Sequence, residues 1–497
     1  MIACAGEKWV CRMLGAALTV AVTGCTVGPT FKSPEPPAVD AYVPGAQPAA
    51  TAASKGPGGA SQRLLSGGEA PEQWWSLFQS EPLNRLVRQA LERSPTLEQS
   101  KARLAQAREA LNAQTGGPRY PSVDAGVSAK RQKVDVQSMG LKNVKNPPPF
   151  SLYGASVSVS YTFDLFGKNR RTTEALAAQA DVRMCELAAA RQTLAANVVN
   201  AAIRLAALNT RIGCVSNLLS VQEHQLAILE AQRKAGGASD LDLENQRLLL
   251  SQTRAALPPL ESQAARAVHL LAVCAGHFPS EADAETFDLA DLHLPETLPV
   301  SLPASLVRRR PDIRAAEARW HWACAEVGVA AADLYPQVTL SGNAGAQNTQ
   351  AADVLNSLNV WSFGAGLMQP VFRGGELRAK KREAAAACDE AAAAYRQVVL
   401  QGFQEVADAL RAMEGDARAL GERGEALRHA RAGFAIAREQ FKSGAISHWS
   451  LLDAQRQLVQ AELDRIDAQA SRYSDSAALM YALGGGWQTA DSADSRR

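Results

Sequence analysis

The 497-residue sequence predicts a mainly α-helical fold that also contains four membrane-type β strands per chain. Three observations lead to this fold class. One large unit occurs twice in tandem. Each unit contains two segments in which apolar and small polar residues alternate, and each also contains a long stretch with apolar residues at heptad spacing. We therefore expect a duplicated helical-hairpin unit that forms an α-barrel, with two strands added by each repeat.

The N-terminus has the pattern of a bacterial lipoprotein signal. Lys8 and Arg12 precede an apolar run, residues 13–22, that is too short to span a bilayer. The run leads to Gly24-Cys25, which resembles a lipobox, so we expect the Cys25 thiol to carry a covalent lipid such as palmitate. Thr26 in the next position favours sorting to the outer membrane by the same resemblance. The alternative is an ordinary signal peptide with an incidental cysteine.

The rest of the sequence has no stretch of 18 apolar residues, so we expect no transmembrane helix in the mature chain. A membrane crossing would then require a closed β-barrel, because only helices and closed barrels satisfy every backbone group in lipid.

The cysteines do not suggest a disulfide framework. Five cysteines remain after Cys25, which is an odd number. Two of them, Cys185 and Cys214, lie about 43 Å apart in one predicted helix. We expect them to be small buried residues. We also expect no metal site and no cofactor other than the lipid, since each Cys-His pair lacks a second pair at ligand spacing. The five are Cys185, Cys214, Cys274, Cys324 and Cys388.

A tandem duplication organises the chain. Tyr120-Pro121 recurs as Tyr335-Pro336, and the glycine break at Gly236 recurs at Gly444. The predicted segments are a signal peptide (1–24), a lipid-anchored Pro/Gly-rich strap (25–72), a first repeat (73–276), a connector (277–307), a second repeat (308–487) and a polar tail (488–497).

The four alternating segments have an apolar face and a face of Ser, Thr, Gly and Asp. A soluble sheet would show the same alternation. Strand lengths of about ten residues and the small polar face favour a tilted membrane crossing beside water. Four strands cannot close a conducting barrel, so other copies must complete it. The residues predicted to face lipid are Val123, Val127, Val157, Val159, Tyr161, Phe163, Val338, Leu340, Trp361 and Phe363.

Each repeat then continues into a very long helix. Residues 170–233 contain no proline, and apolar residues step by seven from Leu194 to Val215 and, in the second repeat, from Val399 to Phe441. A helix of about 64 residues is about 96 Å long. Its expected partner is the next helix of its own repeat, antiparallel across the glycine break. The alternative is a plain coiled-coil rod, which would not need the alternating strands.

At this point the sequence resembles the TolC-like outer-membrane factor family, in its NodT-type lipoprotein branch. The resemblance runs from about residue 74 to residue 487. It implies a homotrimer with one shared twelve-stranded β-barrel and one periplasmic α-barrel. It also implies a passive exit duct that docks with a periplasmic adaptor and an inner-membrane transporter of RND type. The motifs that carry it are Gly24-Cys25, Trp74-Trp75, Leu257-Pro258-Pro259-Leu260, residues 308–314, Tyr335-Pro336, residues 370–375 and residues 444–455.

The resemblance places a periplasmic gate at the helix tips. By position it assigns the gate to Asp453 and Ser450 in the second repeat, and to Asp242 and Asn245 in the first. Three carboxylates that meet on an axis would form a narrow neck that attracts cations. The alternative is that these residues only cap and solvate helix N-termini, where Asp is favoured by the helix dipole.

Other functions find little support in the sequence. It contains no phosphate-binding loop and no nucleophile elbow, so we do not expect an enzyme. The formal net charge of +2 gives no reason to expect nucleic acid as a partner. The competing interpretation is a non-conducting structural coiled-coil lipoprotein of the outer membrane.

Overall fold

A computed structural model describes residues 26–45, 48–136, 140, 145–281, 287–354, 356 and 360–485. Cys25, the signal segment and the 488–497 tail lie outside the described residues. The chain folds into two compact units. The sheet unit contains residues 26–33, 104–183 and 316–395, and the helical unit contains residues 34–103, 184–315 and 396–485.

The duplication is visible in the helix lengths. In the first and second repeats, corresponding helices have 22, 67 and 35 residues. The helices are α1 (Glu81–Arg93), α2 (Pro95–Gly116), α3 (Lys168–Lys234), α4 (Asp240–Cys274), α5 (Pro303–Arg309), α6 (Pro311–Ala332), α7 (Glu376–Lys442) and α8 (His448–Ala482). The strands are β1 (Arg63–Ser66), β2 (Ser122–Gln132), β3 (Phe150–Phe163), β4 (Thr297–Val300), β5 (Gln337–Asn348) and β6 (Val360–Met368).

The sheet unit is built on one antiparallel sheet with the strand order β2-β3-β5-β6. Each repeat supplies one hairpin, and β3 and β5 join the two hairpins through eleven residue pairs. β2 and β6 form the two edges. Strands β2, β3, β5 and β6 have 11, 14, 12 and 9 residues, against a predicted length of about ten.

The helical unit is organised by the predicted heptad residues. Leu194, Ala201, Leu208 and Val215 of α3 are buried, and in α7 the series from Val399 to Leu427 is buried as well. In the first hairpin, Arg254 of α4 pairs with Glu223 of α3, and Arg247 pairs with Glu230 closer to the turn. From Arg247 to Arg254 the chain moves forward along α4, while the partner on α3 moves back from Glu230 to Glu223. The two helices are therefore antiparallel, as predicted.

Both hairpin turns use a glycine in the left-handed region and a serine cap. Gly236 has φ +79° and Gly444 has φ +75°, a conformation that costs glycine little. Ser239 caps α4 by accepting a hydrogen bond from the Asp242 amide, and Ser447 caps α8 by accepting one from the Ser450 amide. These caps satisfy amides that the first helical turn leaves unpaired.

Within the described residues, helix α3 contains an 18-residue window that is apolar enough to cross a membrane by length and composition, with a mean hydropathy of 1.2. Polar residues interrupt α3, so it has no run of 18 apolar residues, and the expectation that the mature chain has no transmembrane helix stays a prediction. Of that window, 56% is buried inside the chain. Such burial is typical of the core helix of a helical bundle, and α3 supplies many residues of the main core.

A disulfide corrects the prediction that the five cysteines are only small buried residues. Cys324 of α6 is bonded to Cys388 of α7, with the two Cα atoms 5.0 Å apart. The sequence did not reveal this pair because the cysteines lie 64 residues apart and meet only through the packing of two helices. Cys185, Cys214 and Cys274 form no disulfide.

The Pro/Gly-rich segment is fixed to both units. In the sheet unit, Phe31 stacks on His321 with ring centroids 4.5 Å apart, and Ser33 donates a hydrogen bond to Glu317. In the helical unit, β1 pairs in parallel with β4, and the hydroxyl of Tyr42 donates to the carbonyl of Ser301. The segment therefore lies against the folded units as a strap.

Candidate channel-lining sheet and helix tips

The strand register places all ten residues predicted to face lipid on one face of the sheet. Val123 lies opposite Val159 across the first hairpin, and Tyr161 lies opposite Leu340 where the two repeats meet. Because side chains of directly paired residues point to the same face, these pairs extend the apolar face over all four strands. The same holds for Val127, Val157, Phe163, Val338, Trp361 and Phe363.

Much of this apolar face is uncovered in the single chain. Val127 is 89% exposed, Trp361 is 78% exposed and Phe363 is 72% exposed. A water-soluble domain rarely leaves a contiguous apolar surface of this kind in contact with water. The exposure contradicts the soluble-sheet alternative, which requires these side chains to be packed in a globule.

The opposite face of the sheet is small and polar over its central part. Ser160 lies opposite Ser341, and Thr162 and Thr339 are joined by a hydroxyl hydrogen bond of 3.1 Å. On the described strands, the ionisable residues of this face are Asp124 and Lys130. Small hydroxyl side chains and glycines leave room for water beside the sheet, so this face fits an aqueous lumen.

Aromatic rings collect where the sheet meets the helices. Tyr161 and Phe163 make an edge contact with centroids 5.1 Å apart, and Phe166 stacks on Tyr335 at 4.7 Å. Outer-membrane sheets carry aromatic girdles at the membrane–water boundary. Sequence reasoning missed Phe166, since it follows the alternating segment and its partner lies in the other repeat.

The predicted gate residues of the second repeat lie in the first two turns of α8. The Asp453 carboxylate accepts hydrogen bonds from Arg456 and Gln457, each at 2.7 Å, so the charge of this Asp is partly balanced within its own helix. Ser450 lies in the first turn, with its hydroxyl 3.0 Å from the Ser447 hydroxyl. Ser450 is exposed, and Asp453 is half-buried.

The predicted gate residues of the first repeat are placed differently. Asp242 forms a reciprocal capping box with Ser239, because each side chain accepts a hydrogen bond from the backbone amide of the other residue. Asn245 lies half-buried one turn further along α4. The capping box gives Asp242 a structural role that does not depend on a gate.

His448 is a tip residue that the sequence did not single out. Its ring lies 5.4 Å from the ring of Phe441 across the second turn, and burial lowers its pKa while the charge of Asp242 opposes that change. The tips of the two hairpins therefore lie close enough for their charges to interact within the helical unit.

Comparison with known proteins decides the family. A family model described as "Outer membrane efflux protein" matches residues 86–277 and 302–485, together more than half of the chain. The chain belongs to the outer membrane efflux protein family. The repeat boundaries read from the sequence, 73–276 and 308–487, stay predictions, since matched segments need not coincide with folded units.

Two curated members of the family illustrate the relationship. The pyoverdine export outer membrane protein OpmQ of Pseudomonas putida is 31% identical over 84% of this chain and 88% of its own length. The outer membrane protein OprJ of Pseudomonas aeruginosa is 30% identical over 95% of both chains. Among solved structures, the outer-membrane channel OprN has a TM-score of 0.81 and 31% identity over 94% of this chain and all of its own.

These relationships establish the general function. This outer membrane efflux protein is the outer-membrane channel component of a tripartite efflux system, and it serves as a transport duct and not as an enzyme. Channels of this kind are trimers that lie in the outer membrane. The predicted fold class and family are confirmed, and the alternative of a non-conducting structural lipoprotein is set aside.

Proposed function

We propose that three copies of this chain close one lipid-anchored, water-filled duct, which receives solutes from a periplasmic adaptor and an inner-membrane transporter of RND type. One observation carries the proposal. The sheet has a continuous apolar face and a small polar face, and among the described residues no further strand pairs with its edges β2 and β6. An open sheet edge in lipid would leave backbone groups unsatisfied, and ring closure by further copies removes both edges.

The start of the described chain supports the lipid anchor. The Val27 amide donates a hydrogen bond to the Phe166 carbonyl, just beyond the end of β3, and Arg171 donates to the carbonyls of Val27 and Gly28. Thr26 packs so closely on Gly167 that a Cβ there would lie 2.5 Å from its methyl group. Thr26, the residue after Cys25, is thus held next to the end of β3 that leads into α3. From this position acyl chains on Cys25 would reach the bilayer.

Metabolic labelling tests the anchor. Cells that express the protein are given radioactive palmitate, and we expect the label on wild-type protein but not on Cys25→Ser. Cys274→Ser is the matched control and keeps the label, since this half-buried thiol lies in α4. Label on the Cys25→Ser variant would contradict the anchor.

Conductance in planar bilayers tests the duct, and β6 offers a matched pair of variants. Trp361 and Ser362 are neighbours on opposite faces of this strand. An arginine on the lipid face costs about 2–4 kcal/mol at the bilayer midplane, whereas substitutions in the lumen alter selectivity. We expect Trp361→Arg to lower insertion sharply, and Ser362→Arg to insert, conduct and shift selectivity towards anions.

Two outcomes would contradict the duct. The first is a silent bilayer with folded, inserted wild-type protein. The second is the reverse ranking of the two variants, because it would place Ser362 towards lipid and Trp361 towards water. Circular dichroism of both variants in detergent checks that each retains its helices.

A further inference from the structure

The two edges of the sheet are long and uncovered. β2 has eleven residues and β6 has nine, and exposed apolar side chains project from both. Val127 of β2 is 89% exposed, while Leu367 and Met368 of β6 are 70% and 68% exposed. Unprotected edges of this length act as templates for pairing with another chain.

The duplication provides a rule for this pairing. In each repeat, one residue directly follows the Tyr-Pro pair and opens the first strand. Ser122 does so in the first repeat and pairs with Ser160, and Gln337 does so in the second and pairs with Met368. Ser160 and Met368 are therefore equivalent. The helices confirm this independently, because α3 and α7 each begin eight residues after these positions.

The register between neighbouring copies can be derived from the pairing of β3 with β5, where the two repeats meet within one chain. Ser160 of β3 pairs with Ser341 of β5. The residue equivalent to Ser341 in the first repeat is Gly126, since both lie four residues after the residue that opens the strand. We infer that β6 of one copy pairs antiparallel with β2 of the neighbouring copy in the register that places Met368 opposite Gly126. This inference rests on the trimeric duct proposed above.

The pattern of the two faces agrees with this register. It places Leu367 opposite Val127, and both residues lie on the apolar face. It places Gly366 opposite Ser128, and both lie on the small polar face. A slip by one residue would turn Leu367 towards polar neighbours and interrupt the lipid-facing surface at every junction between copies. Slips by two residues keep the faces, so only an experiment that resolves two residues tests the rule.

Cysteine cross-linking resolves such a slip. Directly opposite residues have Cα atoms about 4.5–5.5 Å apart, within disulfide range, whereas diagonal neighbours lie about 7–8 Å apart. We expect Leu367→Cys with Val127→Cys to give covalent trimers on mild oxidation. The yield should be several-fold higher than for Leu367→Cys combined with Ala125→Cys or with Ala129→Cys. Cys185, Cys214 and Cys274 are replaced by alanine in all samples, and trimers are counted on denaturing gels without reductant.

A second pair guards against a strained or misfolded variant. Gly366→Cys with Ser128→Cys tests the same register one step along, where the hydrogen-bonding type of the pair alternates. Efficient trimers from either matched pair support the register. Higher yields from a shifted pair would overturn the register and leave the trimeric duct intact. Protein that is monomeric by mass in detergent and forms no cross-link from any pair would overturn the duct as well.

Discussion

At the scale of single residues, Arg472 shows how one buried cation holds the strap. Its side chain is fully buried on α8 and donates hydrogen bonds to the Gly58 carbonyl, the Ala60 carbonyl and the Thr51 hydroxyl, at 2.7–2.9 Å. Without it, these three acceptors, of which Thr51 is buried, lose their donor. A hydrogen bond from a charged donor stabilises the fold by about 1.5–3 kcal/mol, and a buried acceptor that is left without a donor costs about 1–3 kcal/mol.

We expect Arg472→Ala to lower the free energy of unfolding by about 3 kcal/mol and to expose residues 51–60 to proteolysis. Arg465→Ala is the control, since Arg465 is only half-buried on the same helix and donates one bond of 3.2 Å to the Pro57 carbonyl in the same loop. Thermal unfolding and limited proteolysis in detergent measure both effects. Equal losses of unfolding free energy in Arg472→Ala and Arg465→Ala would contradict a special contribution from the buried Arg472 side chain.

Asp475 is a residue at which stability should depend on pH. Burial raises the pKa of Asp475 to about 7, and the hydrogen bond and negative charge of Asp416 add to this rise. The unfolded chain titrates near the ordinary value of about 3.9. Between these two values the folded state binds a proton that the unfolded state has released, so the free energy of unfolding falls as pH rises from about 4 to about 7.

We expect Asp475→Asn to flatten this pH dependence and to raise the melting temperature relative to wild type above pH 7. The exposed Asp389→Asn on α7 is the control and should keep the wild-type profile. Melting temperatures between pH 4.5 and pH 8.5 give the comparison. A wild-type slope that survives in Asp475→Asn would assign the titration to another group.

At the scale of elements, the disulfide staples the second hairpin of the sheet. Cys324 precedes β5 and Cys388 follows β6, so the bond closes a loop that contains both strands. Closing a loop of 64 residues restricts the unfolded chain and contributes about 4 kcal/mol in the chain-entropy treatment. The two thiols should therefore matter for the stability of the sheet unit.

We expect Cys324→Ser with Cys388→Ser to unfold at a clearly lower temperature than wild type. A reductant should lower the melting temperature of wild type towards that of the double variant, and should leave the double variant unchanged. Cys274→Ser serves as control because Cys274 forms no disulfide. A melting temperature of the wild type that is insensitive to reductant would contradict the role of the bond.

The helices and strands also show which structural features could be predicted from local sequence patterns. Alternation along β3 and heptad steps along α3 are set by neighbours two to seven residues apart, so their faces could be predicted. The bond between Cys324 and Cys388 and the partners of Arg472 join residues far apart in the chain, and no local pattern encodes them. At the tips, Asp242 fits a gate and a cap equally well in sequence, and only the structure reveals its capping box.

At the scale of the whole molecule, the distribution of charge suits a passive duct. On the described strands, the small polar face carries Asp124 and Lys130 as its ionisable residues, so it presents few fixed charges to a passing solute. Selectivity would then arise where the path is narrow, at the helix tips of the proposed trimer. There Asp453 and Arg456 form an ion pair of 2.7 Å on the same helix, so each copy presents both signs of charge.

This pairing makes a two-sided prediction for the gate. Removal of the cation by Arg456→Ala should leave three uncompensated carboxylates and raise cation selectivity, because a ring of acidic side chains concentrates cations in a narrow neck. Asp453→Asn should lower cation selectivity. Reversal potentials across planar bilayers under a KCl gradient measure both shifts, with Asp467→Asn as the control, since this exposed residue of the same helix pairs with Arg211. If neither Arg456→Ala nor Asp453→Asn moves the reversal potential, Asp453 is a surface residue and the constriction lies elsewhere.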